Sequence, residues 1–90
     1  MNFKNNAYKI TEYPLVFLNE GDSAKIVHFS INPQSKYSES LYRLEEMGVK
    51  SGKTIQMLNN SNGNSILVKI DNSRLAISRQ IALKIFVRKA

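Results

Sequence analysis

Leu41-Tyr42-Arg43-Leu44-Glu45-Glu46-Met47-Gly48-Val49-Lys50-Ser51-Gly52, running straight into Lys53-Thr54-Ile55-Gln56-Met57-Leu58, is the stretch that decides the fold. Tyr37, Leu41, Leu44 and Gly48 fall on one helical stripe with Met47 beside it, which predicts a helix over Tyr37 to Met47. Tyr42, Arg43, Glu45 and Glu46 lie away from that stripe. Gly48 ends the helix in the left-handed conformation that glycine adopts cheaply, and Val49 can pack back on the last turn. Beyond Gly52 the hydrophobic period drops to two, and the chain becomes a strand.

Downstream, Thr54 to Leu58 and Ile66 to Ile70 read as strands joined by Asn59-Asn60-Ser61-Asn62-Gly63-Asn64. The Asn62-Gly63 pair suits a turn needing positive φ, so a hairpin is expected. Asp71-Asn72-Ser73 is a second tight turn, leading into Arg74-Leu75-Ala76-Ile77. Arg79 to Ala82 is long enough for a single helical turn, and Lys84 to Arg88 returns as a last strand with Ile85 and Val87 on one face.

Upstream, Ala24 to Ile31 alternates, with Ala24, Ile26 and His28 expected on one face and Lys25, Val27, Phe29 and Ile31 on the other. The stretch Asn32-Pro33-Gln34-Ser35 is a loop, and Ser35 or Ser38 can accept a bond from a free N–H at the helix start. Residues 1–13 are polar and either fray or add an edge strand through Tyr8 and Ile10. One main helix and about five short strands joined by tight turns describe a mainly β chain curled into a small barrel that hides its edges. Leu41, Leu44, Ile55, Ile77 and Ile85 are expected to be buried together, with Phe29 and Tyr37 also in the core.

At 90 residues the chain supports one domain, 1–90, with 42% hydrophobic and 22% charged residues arguing against wholesale disorder. It has no cysteine, so disulfides and thiolate metal sites are excluded. The longest apolar run near the start is Pro14-Leu15-Val16-Phe17-Leu18; a secretory signal needs roughly 7–15 apolar residues and a membrane span about 20. A cytoplasmic location is expected, with membrane association only through a partner. The 13 Lys and Arg give a net charge of +6 but are scattered, with Arg88-Lys89 the single adjacent pair, so no nucleic-acid footprint is legible.

Catalytic chemistry finds no support. His28 is the sole histidine, no acid stands two or four residues from it, and adjacent Glu45 and Glu46 point in different directions on a helix. One histidine without cysteine gives no nucleophilic triad in a chain too small for a deep cleft. Gly48 to Thr54 ends in Gly-Lys-Thr, but the glycines are one residue too close for a Walker loop and the order is helix then strand. No cofactor and no metal site are expected.

The pattern Leu18-x-x-Gly21-x-x-Ala24-Lys25-Ile26, then Leu41-x-Arg43-Leu44-x-x-Met47-Gly48-Val49-x-x-Gly52, resembles the FeoA family of bacterial ferrous iron transport. The ending Leu75-Ala76-Ile77-Ser78-Arg79-x-x-Ala82-x-x-Ile85-x-Val87 is similar to that family's closing signature. The resemblance spans Leu18 to Val87. It implies an SH3-like β-barrel with Leu44, Met47 and Val49 sealing one end and Leu75, Ile77, Ala82, Ile85 and Val87 filling it. The same fold closes iron-dependent repressors of the diphtheria toxin regulator type, but no helix-turn-helix segment is visible in this chain. Departures are Ser51 where the family often has proline, the wholly polar Asn59–Asn64 loop, and the first 13 residues, which no motif covers.

The resemblance implies a non-enzymatic accessory module that binds the cytoplasmic part of FeoB, a membrane transporter with a GTP-binding domain. Tyr42, Arg43 and Glu46 on the outer helix face, with Lys50 and Arg79 nearby, are the candidate partner-binding residues, since arginine and tyrosine often dominate interfaces. The alternative is an SH3-like nucleic-acid-binding or repressor-type interaction domain. No stable nucleic-acid complex is expected, and self-association stays open.

Overall fold

The computed structural model describes residues 11–61 and 63–89. The elements in chain order are β1 (Tyr13–Pro14), a 3-10 turn (Leu15–Phe17), β2 (Ser23–Phe29), α1 (Ser38–Glu46), β3 (Thr54–Asn59), β4 (Ser65–Ile70), β5 (Ser73–Ser78), α2 (Arg79–Ala82) and β6 (Ile85–Lys89). Tyr8 and Ile10 lie outside the described residues. The sheet is antiparallel in the order β1-β6-β2-β3-β4-β5. The mainly β, SH3-like class holds, but among the described residues the ladder does not close: β1 and β5 end the sheet with no pairing between them.

Alternation builds the core. Ala24 and Ile26 of β2, Ile55 and Met57 of β3, Ile66, Val68 and Ile70 of β4, Ile77 of β5, and Ile85 and Val87 of β6 all turn inward and are buried. Leu15 and Leu18 close one end, and Leu41, Val49, Ile81 and Ala82 come from the helices and their exits. No polar side chain is buried among the described residues, so aliphatic burial carries the stability.

The end of α1 follows its sequence closely. Gly48 has φ +104°, its N–H donates to Glu45 O at 3.0 Å, and Val49 N–H donates to Leu44 O at 2.9 Å. This paired arrangement satisfies two carbonyls of the last turn and sends Val49 into the core. Met47 is consequently not a core residue as expected. It precedes the reversal and is 53% exposed, so Val49 alone plugs that position. Leu44 of α1, Tyr37 at its start and Leu75 of β5 pack against the core but are only half-buried, and Leu41 is the α1 residue that is fully buried.

β2 also departs from simple alternation. Ile26 pairs with Val87, and His28 rather than Val27 pairs with Phe86, so the register shifts by a bulge at Val27. The shift moves His28 off the Ala24 and Ile26 face, where it was expected, to stack on Phe86 at 4.8 Å between ring centroids, while Phe29, expected in the core, packs against it half-buried. Ile31 lies beyond the strand and is exposed. Ser51 braces the bulge by donating its hydroxyl proton to the Val27 carbonyl. A proline there would lack that hydroxyl.

Candidate functional site

Because Leu41 is the one α1 residue fully inside, the opposite face of the helix stands clear of the sheet. Glu39, Tyr42 and Glu46 lie on it, with Arg43 at its flank, and all four are exposed. Arg43 pairs with Glu39 at 2.7 Å one turn earlier, a contact between two highly exposed side chains that contributes little stability. Lys50 is exposed on the turn that follows. Ser35 Oγ accepts from Tyr37 N–H at 3.1 Å, and the Tyr37 hydroxyl donates to Gln80, holding the start of α1 against α2. Lys36 and Lys84 both sit over the Tyr37 ring, at 5.3 and 5.5 Å from its centroid.

Arg79 is not part of that open face. Its Nε donates to Gly63 O at 2.8 Å, one Nη to Asn60 Oδ1 at 2.8 Å, and the other Nη to Ser61 O. Asn60 in turn donates to the carbonyls of Val16 and Leu18, at 2.8 and 3.0 Å, and its N–H donates to the Glu20 carboxylate. Arg79 thus clasps the β3–β4 loop to α2 while Asn60 ties the same loop to the 3-10 turn. Sequence reading missed this clasp. Its signal was the unusual Asn59-Asn60 pair in a polar loop, followed by one arginine at the start of a helical turn.

A shallow groove of about 250 Å³ runs between α1 and β5, lined by Ser40, Arg43, Leu44, Ala76, Ile77, Ser78 and Ile81. Its floor is apolar through Leu44, Ile77 and Ile81, and Arg43 is its charged rim. At the far end of the sheet, Glu12 faces Arg88 at 2.8 Å and His28 at 3.5 Å. Lys89 is held above its ordinary pKa, mainly by its hydrogen bond to Asp22. Among the described residues no three His, Cys, Asp or Glu side chains gather as metal ligands would. No helix among the described residues is long and apolar enough to cross a membrane.

The described residues form a six-stranded antiparallel sheet with α1 and the short α2 packed on it. The FeoA domain family model matches residues 13–89, and the chain belongs to that family. It is 30% identical to a candidate Fe(2+) transport protein A of Methanocaldococcus jannaschii over 87% of this chain and 88% of the relative. The crystal structure of an iron uptake regulatory protein, FeoA, superposes with a TM-score of 0.74 at 26% identity, covering 90% of this chain and all of the other. A FeoA protein from Chlorobium tepidum gives 0.72 at 25% identity, over 84% of this chain and 69% of the other. A manganese-dependent transcriptional repressor gives 0.76 at 15% identity; this chain covers 38% of it, and the likeness is one of fold.

Proposed function

We propose that this chain is a non-catalytic accessory module of ferrous iron uptake that contacts the cytoplasmic part of a FeoB-type membrane GTPase transporter. The observation that carries the reading is the family match over 13–89, together with a relative in iron transport aligned over nearly its whole length. The contact surface is the outer face of α1 with the turn after it: Tyr42, Arg43, Glu46 and Lys50. Tyrosine and arginine supply large contact area and directional donors, and Arg43 can exchange its weak Glu39 partner for one on the transporter. Arg79 supports this surface indirectly, by holding α2 and the β3–β4 loop in place. The module works at the inner face of the membrane through its partner and conducts no iron itself.

The test is capture of the transporter from detergent-solubilised membranes on the immobilised chain, beside a nucleic-acid gel shift at two salt concentrations. Transporter capture that weakens at least tenfold in Arg43→Glu supports the reading. Salt-sensitive nucleic-acid binding without capture would overturn it in favour of the nucleic-acid alternative.

A further inference from the structure

β5 is the last strand of the sheet, and among the described residues nothing pairs with its outer edge. Asp71, with φ +53°, and Asn72 make a two-residue turn that closes on the Ile70–Ser73 pair. Antiparallel alternation then points the backbone groups of Ser73, Leu75 and Ile77 at β4, opposite Ile70, Val68 and Ile66. The N–H and C=O of Arg74 and Ala76 point the other way, and no hydrogen bond meets them among the described residues. The edge therefore offers two donor–acceptor pairs at strand spacing.

The two sides of this edge differ in chemistry. On the inner side lies the groove, with Leu44, Ile77 and Ile81 as its floor. On the outer side Arg74 stands directly opposite Lys69, both exposed, a like-charge cross-strand pair that is unfavourable unless an anion joins it. Neither cation is in an ion pair among the described residues, and Asp71 nearby is taken by Lys53 at 2.9 Å. A strand laid along β5 would turn alternate side chains into the groove and the others beside Arg74.

We propose that the β5 edge binds an extended peptide segment of a partner in which apolar and acidic residues alternate. The segment joins the sheet as a seventh strand through the Arg74 and Ala76 backbone, its apolar side chains entering the groove and its carboxylates completing the row with Arg74 and Lys69. The recognition mode is independent of which protein supplies the segment, and so of the transporter assignment.

The probe is a blocked seven-residue peptide alternating valine and glutamate, titrated into the labelled full chain and followed by amide NMR and hydrogen exchange. The expected result is saturable binding with new protection of the Arg74 and Ala76 amides. Two N-methylated probes keep the test free of folding effects: methylation of every second amide in one parity should weaken binding at least tenfold, and in the other parity leave it within threefold. Replacing glutamate by lysine should also cost at least tenfold, and Arg74→Glu should reverse that preference. Failure of the unmodified probe to bind, or equal binding of the two methylated probes, overturns the proposal. So does protection of Ala76 N–H before probe is added, whether constant or rising with protein concentration, because the edge would then be filled by this chain or by a second copy.

Discussion

The two ends of the sheet are finished in opposite ways. β1 is two residues long, carries Pro14, which has no N–H to offer, and is flanked by Glu12 bonded to Arg88 and close to His28. Shortness, proline and charge are the usual means by which an edge is blunted against further pairing. β5 is six residues long, has no proline, and presents alternate backbone groups outward beside an apolar groove. A long open edge is an aggregation hazard, and among the described residues the exposed cations Arg74 and Lys69 stand beside this one. Among the described residues, the β5 side leaves room for the proposed seventh strand and the β1 side does not favour one.

That contrast requires β5 to be firmly held on its inner face, which sets the largest expected effect. Ile77 is 2% exposed, and Ile77→Ala should cost roughly 2–5 kcal/mol in urea unfolding. A cost under 1 kcal/mol would mean that β5 is a frayed strand rather than a stable template, and the contrast would fail. The half-buried Leu44 lines the groove, so Leu44→Ala should cost clearly less than Ile77→Ala in the same assay.

The clasp behind β5 should have the next effect. Arg79→Ala removes three donors and leaves the loop carbonyls of Ser61 and Gly63 and the Asn60 side chain to solvent. The expected loss is about 1–3 kcal/mol. Exchange of loop amides should rise with it while β2 and β6 stay protected. At the blunted end, Glu12→Gln should change stability by only about 0–1 kcal/mol, because its ionic partners are exposed. A larger loss measured by thermal unfolding would show that the β1 edge is held by charge instead of by its short ladder.

The sequence disclosed most where the determining contacts are local. Gly48 and Val49 announced the helix end because the bonds concerned join residues three and five apart. The strands of the β3–β4–β5 meander were likewise written in alternation and turn residues. The Val27 bulge was not, because it arises from the pairing of β2 with β6, elements far apart in the chain; hence the shifted face of His28. Met47 looked like a core residue because it stands beside the apolar stripe, yet the reversal at Gly48 gives that place to Val49. Of the proposed partner-binding residues, Tyr42, Arg43 and Glu46 are exposed on α1 and Lys50 on the turn after it, whereas Arg79 is engaged by a loop whose approach no local pattern encodes. The groove and the open edge depend on sheet order, which alternation alone leaves undetermined.

The sharpest measurement is native-state hydrogen exchange of the four successive amides Arg74, Leu75, Ala76 and Ile77 in the free chain. Leu75 and Ile77 should exchange only on opening of the sheet, at least a hundredfold more slowly than Arg74 and Ala76, giving an alternating pattern along β5. Uniform slow exchange of all four would contradict the account, since the outer edge of β5 would then already be paired.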